Sequence, residues 1–406
     1  GDWNVSAVTN MSQAFSPNRV YGSAINTFNE DISAWDTGNV TGMSAMFYNS
    51  TSFNQPLNWD TSNVTDMYRM FRGASAFNST LTFSDTSSVL SMEQMFHTAT
   101  LFNQPLNFDT SSVENMELVF YSASAFNQPL NWNTSSVTNM LQTFFLASSF
   151  NSALTFSDTS SVANMSYMFY QATSFNQPLN FNTSSVTNMS YMFSNATSFN
   201  STLTFDTSSV TDMGAMFNSA TAFNSTLTFS DTSSVEDMRF MFYGTTSFDQ
   251  PLNWNTSSVL NMESMFRDAT AFNSTLTFDT SSVTNMVRMF NNANAFNSTL
   301  TFSDTSNVTN MQAMFYVATA FNQPLNFDTS SVENMQETFS NATSFNQPLN
   351  WDMSSVNSFY YTFSNVNFST VNYDLILVYW EAYLQTAFPS GVGYTPNISV
   401  SFNTTQ

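Results

Sequence analysis

The sequence has no cysteine, no lysine and a single histidine, His97, among its 406 residues. Without cysteine there are neither disulfides nor thiolate metal sites. The usual nucleophile–base pairs need a cysteine, a lysine or a well-placed histidine, so we expect no enzymatic activity, no catalytic residue and no cofactor. We interpret His97 as an exposed side chain on a helix. A glycan hydrolase that uses paired carboxylates is the one catalytic alternative.

Charge is also scarce, and the little there is has one sign. Six arginines face 28 carboxylates, which gives a net charge of -22, and only 8% of the residues are charged. Nucleic acids and anionic membranes both need a basic surface, so neither is expected as a partner. The longest apolar run, residues 375–380, is far shorter than the roughly 20 residues of a membrane span, and we predict no membrane insertion.

What the sequence does contain is a repeat, which is most easily aligned on a valine. The spacing between successive valines is 24 or 25 residues after an irregular first step. Methionine follows the valine by three positions in fourteen copies, and phenylalanine follows it by seven positions in all fifteen. We call each copy a coil. The anchoring valines are Val8, Val40, Val64, Val89, Val113, Val137, Val162, Val186, Val210, Val235, Val259, Val283, Val308, Val332 and Val356.

Two apolar patterns occur within each coil. From the valine onwards, apolar residues recur at i, i+3, i+6, i+7 and i+10, which predicts a helix of about ten residues. Ser-x-x-Glu sequences such as Ser111 with Glu114 suggest its capped start. Leucine and an aromatic residue then alternate with a polar one, which predicts a strand. In one coil the predicted core residues are Met189, Met192, Phe193, Phe199, Leu203 and Phe205.

Stacking such coils predicts an α/β solenoid of about fifteen coils, each with a short strand and a short helix, whose strands form a parallel sheet. We expect residues 1–34 to form an irregular N-terminal repeat or cap and residues 35–363 the solenoid. Residues 364–406 should form a capping helix and strand. Seven coils carry proline just before the strand, where we expect no sheet hydrogen bond to be lost. These are Pro56, Pro105, Pro129, Pro178, Pro251, Pro324 and Pro348.

The repeat motif also resembles a known family. Met-Phe-x-x-Ala-x-x-Phe-Asn-Gln-Pro-Leu-x-Trp-Asp-Thr-Ser-Ser-Val-Thr-Asn-Met is similar to BspA-like leucine-rich-repeat surface proteins, in the variant known from mycoplasma-type surface proteins. The resemblance runs from about Trp35 to Phe363. The segment 372–377 with Trp380 is similar to the family's closing helix. The resemblance implies a leucine-rich-repeat-like fold in a secreted or surface-exposed protein with adhesive or unknown roles.

A column of aspartates follows the strand aromatic, with asparagine in three coils. These side chains either accept hydrogen bonds from turn N–H groups or bind calcium, in which case Asp60, Asp85 and Asp109 would be ligands. Exchange with asparagine favours the turns. A neighbouring threonine column that includes Thr61 and Thr110 suggests, as a minor hypothesis, ordered water at an ice surface.

A second column holds an asparagine after the second phenylalanine, which we interpret as a ladder of turn hydrogen bonds. In five coils the same asparagine opens an Asn-Ser-Thr sequence, an acceptor for N-linked glycans. We therefore expect N-glycosylation at these sites and at three further sequons. The predicted glycosylation sites are Asn78, Asn200, Asn224, Asn273 and Asn297 in the column, and Asn49, Asn195 and Asn341 outside it.

A longer rhythm is superimposed on the coils. One extra serine follows the strand aromatic every 73 residues, at Ser84, Ser157, Ser230 and Ser303. We interpret it as duplication of a three-coil cassette, and the alternative is a row of docking bulges.

These patterns favour an extracellular, secreted scaffold of a cell surface or fibre, with N-linked glycans. The alternative is an adhesin that binds protein or glycan through the strand face. Head-to-tail self-association is the further partner hypothesis, since the predicted strand at Ile398, Val400 and Phe402 either caps its own solenoid or adds to the next molecule.

Overall fold

The computed structural model describes residues 4–18 and 27–387, with side chains as far as residue 381. The chain divides into two compact units, Gly1–Ser209 and Val210–Gln406. Each unit is a stack of coils, so the repeat fold is of the solenoid type. The predicted C-terminal strand lies outside the described residues. The named elements are β1 (Leu203–Phe205), β2 (Leu227–Phe229), β3 (Leu276–Phe278), β4 (Leu300–Phe302) and α1 (Thr370–Ala387).

The strand segments pair in parallel, as the alternating pattern predicts, but only over short lengths. Strand β3 pairs with β4 in register, leucine opposite leucine and phenylalanine opposite phenylalanine. Several other coils are joined only by single bridges, such as Leu57 opposite Leu81. There the Leu57 N–H donates to the Thr80 carbonyl at 3.1 Å, and the Thr82 N–H donates to the Leu57 carbonyl at 2.8 Å.

Proline coincides with the places where this pairing stops. Among the described coils, a strand segment whose leucine follows a proline has no bridge to the preceding coil. For example, Leu106 follows Pro105 and is not bridged to Leu81. The Leu57–Leu81 bridge uses the N–H groups of Leu57 and Thr82, whereas the N–H of Thr80, at the position that proline takes in other coils, has no part in it. That proline at this position costs no sheet hydrogen bond therefore stays a prediction.

The short helix predicted in each coil does not form in the described residues, where α1 is the one helix. The N–H groups of Met43, Ala45 and Phe47 instead donate to carbonyls of the next coil at 2.7–3.0 Å. Between them the chain makes four-residue turns, such as that closed by the Met46 N–H and the Met43 carbonyl at 3.2 Å. Ala45 occupies the left-handed region with φ 53°. The segment is thus a run of turns bonded to its neighbour.

Polar side chains explain why turns replace the helix. Two positions after most of the valines, an asparagine, aspartate or serine accepts the N–H two residues further on; Asp66 accepts from Tyr68 at 2.8 Å. Gly42, two positions after Val40, is an exception. Such local bonds compete with helical ones. The Glu114 N–H donates to the Leu90 carbonyl of the preceding coil, so no capping box forms there. Turns that return every third residue bury the same i, i+3 positions that a helix would bury.

The core of each unit consists of ladders of identical side chains. Phe144 and Phe169 in successive coils stack with ring centroids 5.4 Å apart, and Phe144 also stacks on Phe150 of its own coil at 4.3 Å. Both phenylalanine columns continue in this way from coil to coil within each unit. The predicted core residues Met189, Met192, Phe193, Phe199, Leu203 and Phe205 are all buried.

Helix α1 follows the last coil. Ser369 caps it, since its hydroxyl accepts the Asn372 N–H at 3.3 Å. Trp380 is buried against Phe363 and Phe359, with ring centroids 5.8 and 5.4 Å away. The helix therefore covers apolar rings that the last coil would otherwise expose. In the part of the chain that the structure describes, no helix is long and apolar enough to span a bilayer.

Candidate functional site

The asparagine after the second phenylalanine bonds one coil to the next. The Asn54 side-chain oxygen accepts the Asn78 N–H at 2.8 Å, and Asn78 in turn accepts the Asn103 N–H at 2.8 Å. Asp249 takes the same role in its coil, accepting the Asn273 N–H at 2.8 Å. These side chains are exposed, yet their Oδ1 atoms serve the register of the stack.

The five predicted glycosylation sites in this column remain chemically accessible. Asn78, Asn273 and Asn297 are exposed, as are Asn200 and Asn224. The ladder uses Oδ1, whereas an N-linked glycan is attached to Nδ2. A glycan at these sites would therefore leave the ladder acceptor in place.

The three sequons outside the column are in a different setting. Asn49, Asn195 and Asn341 are half-buried and adopt left-handed backbone conformations, with φ of 58°, 58° and 62°. The Nδ2 atoms of Asn195 and Asn341 donate to the preceding serine hydroxyls at 3.1 and 3.2 Å. Their accessibility is lower than that of the column sites.

The aspartate column stabilises turns. The carboxylates of Asp60, Asp85 and Asp109 accept N–H groups two residues further on at 3.0, 2.8 and 2.9 Å. The bonds from Ser62 and Ser87 lower the pKa of Asp60 and Asp85, because they stabilise the charged form. Each candidate calcium ligand faces its own turn, and among the described residues no group of three or more carboxylate or histidine side chains is placed to hold a metal ion.

The threonine column lies inside the stack and does not form a water-ordering surface. Thr110 and Thr183 are fully buried. Their hydroxyls donate to carbonyls of the next coil, at Asn133 and Asp206, over 2.7 and 2.8 Å. The ice-surface hypothesis is therefore wrong, since these hydroxyls are occupied by the protein itself.

The extra serines also bond within the stack. The Ser84 hydroxyl donates to the Asp60 carboxylate at 2.9 Å and accepts the Thr61 N–H at 3.2 Å. Ser303 makes the same two contacts in its coil, and so does Ser157, which donates to the Asn133 amide oxygen in place of a carboxylate. The inserted residue thus joins its coil to the preceding one.

Residue identity changes from coil to coil at the positions four, five and eight after each valine, and we call these positions the variable face. In the first unit, rings at the eighth position stack in succession. The ring centroids of His97 and Tyr121 are 4.4 Å apart, those of Tyr121 and Phe145 are 4.6 Å apart, and those of Phe145 and Tyr170 are 4.6 Å apart. The sequence shows these positions as ones where residue identity changes between coils, whereas the adhesin alternative places binding on the strand face.

His97 is half-buried in this stack and not exposed on a helix, contrary to expectation. Burial and the positive charge of Arg72 lower its pKa to about 4. The imidazole is consequently neutral and a weak base at neutral pH.

Two arginines on the variable face lack acidic partners. Arg69 donates from Nε to the Gln94 side-chain oxygen at 3.1 Å, and Arg72 donates from Nη1 to the same atom. Within the described part of the chain, Arg239 forms an ion pair with Asp237 at 2.8 Å and Arg267 forms one with Asp268 at 3.4 Å. Arg69 and Arg72 form no ion pair there.

Tyrosine rings and a pocket adjoin these arginines. The Arg69 guanidinium lies 4.4 Å from the centre of the Tyr68 ring, and that of Arg72 lies 5.6 Å from the Tyr48 ring. A pocket of the first unit is lined by Gln13, Tyr48, Tyr68 and Arg69, together with serine and asparagine side chains. Positive charge, hydroxyls, amides and aromatic surface therefore meet there.

Comparisons with solved structures find repeat proteins of low similarity. A leucine-rich repeat protein from Eubacterium ventriosum is 13% identical with a TM-score of 0.39, over 82% of each chain. The TLR13–ssRNA13 complex contains a chain that is 12% identical with a TM-score of 0.28, over 86% of this chain and 52% of that one. No curated protein matches the chain.

A family model does match, in seven overlapping segments. It is described as mycoplasma protein of unknown function, DUF285. The matched residues are 1–58, 20–130, 106–204, 128–229, 179–278, 202–301 and 274–375. They cover most of the sequence and confirm the resemblance to the mycoplasma-type repeat variant. The chain belongs to the DUF285 family of mycoplasma-type repeat proteins.

Proposed function

We propose that the protein is a structural repeat scaffold of a cell surface or extracellular fibre and has no enzymatic activity. The observation that carries the proposal is the asparagine ladder. The repeated polar side chains, including Asn54, Asn78 and Thr110, are used to hold one coil on the next. This arrangement suits a protein whose role is to maintain an extended surface.

The test is localisation on intact native cells. We expect protease treatment of unbroken cells to remove the protein from the cell-bound fraction, while a cytosolic marker enzyme stays intact. Negative-stain images of the native material should show whether molecules join end to end, as the self-association hypothesis requires. Recovery of the protein only from the cytosol would contradict the surface role, and images of isolated molecules at all concentrations would contradict the fibre.

N-glycosylation is the second element of the proposal, supported by the exposure of the five column sequons. Its test uses Thr80, the third residue of the Asn78 sequon. Thr80→Val destroys the acceptor sequence but retains the Asn78 ladder bond, and Thr80→Ser retains both. We expect the intact mass of the protein from its native host to fall when N-linked glycans are removed enzymatically, and the mass of Thr80→Val alone to be lower by one glycan before that treatment. An intact mass that the treatment leaves unchanged would refute this.

A further inference from the structure

The variable face of the first unit carries unneutralised positive charge in a strongly acidic protein. Arg69 and Arg72 both donate to the neutral Gln94 amide. The carboxylate of Glu93, which belongs to the same network, accepts from the Gln94 and Asn115 side-chain amides at 2.9 and 3.1 Å. A protein with net charge -22 thus keeps two guanidinium groups free of carboxylates, which leaves them available to an anion.

The pocket beside Arg69 determines which anion fits. Its walls offer the Gln13 amide, the Ser44 hydroxyl and the phenol groups of Tyr48 and Tyr68. Amides and hydroxyls of this kind bond to sugar hydroxyls, and aromatic rings pack against the apolar face of a pyranose. Arginine pairs with a carboxylate through two parallel hydrogen bonds. We propose that this pocket binds an acidic sugar, with Arg69 pairing with the carboxylate and Arg72 adding positive charge beside it.

Other anions are less suited to the same site. A nucleic acid presents a phosphate at every residue, and two arginines cannot offset its repulsion by the net negative charge. An acidic peptide would leave the amide and hydroxyl walls facing apolar or backbone groups. A sugar acid combines one carboxylate with several hydroxyls and so matches the whole lining.

The aromatic stack supports this site from one side. Arg72 lies between Tyr48 and His97 in the column at the eighth position after the valine, and its guanidinium sits over the Tyr48 ring. Beyond it the rings of His97, Tyr121 and Phe145 stack without interruption. The column limits the directions that Arg72 can adopt. The variable face therefore presents its charge in a preorganised form.

The experiment is a titration of the full chain with two acidic probes, a glucuronate-containing hyaluronan tetrasaccharide and sialyllactose, each paired with its carboxyl-reduced form. We expect at least one acidic probe to bind, the reduced form to bind at least tenfold more weakly, and affinity to fall with added salt. Arg69→Gln should weaken binding at least tenfold. Arg288→Gln is the matched control, because Arg288 occupies the same position of its coil in the second unit.

Several outcomes would overturn the proposal. The first is that neither probe binds at concentrations up to about 10 mM. The second is that the acidic and carboxyl-reduced forms bind equally well. The third is that Arg69→Gln and Arg288→Gln change the affinity for the probes by the same amount. Tighter binding of a polyglutamate peptide than of either sugar would assign the site to acidic proteins instead. Circular dichroism of each variant separates lost binding from lost folding. None of these results depends on whether the scaffold polymerises, so the two proposals fail independently.

Discussion

At the scale of single residues, the repeated polar columns make most of their hydrogen bonds within the protein itself. Asn54 bonds to the next coil through Oδ1, Asp60 to its own turn, and Thr110 to a neighbouring carbonyl. Each column makes one characteristic bond, which explains why the columns are so uniform. The many asparagine, serine and threonine residues therefore supply hydrogen-bond partners to backbone N–H and C=O groups, in addition to making the surface soluble.

Removing one ladder side chain should cost little but measurable stability. Asn127 accepts the Asn151 N–H at 2.8 Å and lies outside any sequon. We expect Asn127→Ala to lower the free energy of unfolding by about 1 kcal/mol, because the donor is left to water. Asn127→Asp is the control, since Asp249 makes the same bond elsewhere. Chemical denaturation measures both variants. Equal losses would show that the acceptor oxygen is unimportant.

His97 should make folding stability depend on pH. Its folded-state pKa of about 4 lies below the ordinary value of 6.5, so between these values the unfolded chain binds a proton that the folded chain does not. Its contribution is present above pH 6.5 and is lost as the pH falls towards 4. His97→Tyr places there the residue found at Tyr48 and Tyr121, which retains a ring and does not titrate. We expect the variant to lose less stability between pH 7 and 4 by denaturant titration. Parallel curves would contradict this.

At the scale of the element, the sequence predicts the coil well and its backbone poorly. The 24- or 25-residue spacing correctly identifies which side chains are buried, since Met189 and Phe193 are inaccessible. It does not distinguish a helix from successive turns, because both bury every third residue. What distinguishes the two is a contact between coils: the Ala45 N–H donates to the Tyr68 carbonyl of the next coil and not to a carbonyl of its own coil. The variable-face pocket was missed for the same reason, since Gln13 and Arg69 meet only after stacking.

The importance of the phenylalanine ladder can be tested on two adjacent residues. Phe144 is fully buried between Phe120 and Phe169, whereas Phe145 belongs to the half-buried outer stack. Phe144→Ala should lower the free energy of unfolding by about 3–5 kcal/mol through the cavity it leaves. Phe145→Ala should cost less than about 1.5 kcal/mol. Denaturant titration of both variants is the measurement. Similar losses would mean that the core ladder does not dominate coil stability.

At the scale of the whole molecule, acidity raises the question of bound cations. The Asp60 and Asp85 carboxylates already accept turn N–H groups, so we expect these turns to form without metal. A strong chelator should leave the melting temperature unchanged, and added calcium should not raise it. A fall in melting temperature on chelation that calcium alone restores would instead support calcium as a structural ligand.

The use of Oδ1 in the asparagine ladder also bears on how the protein ages. Asn151 is followed by serine, lies outside any sequon and accepts the Asn176 N–H at 2.8 Å, so it is a ladder residue open to slow deamidation. Where the product is aspartate, an acceptor oxygen remains and the coils can stay in register while negative charge increases, as Asp249 illustrates. The isoaspartate that forms beside it lengthens the backbone by one carbon, so it is this product that would break the ladder in a long-lived molecule.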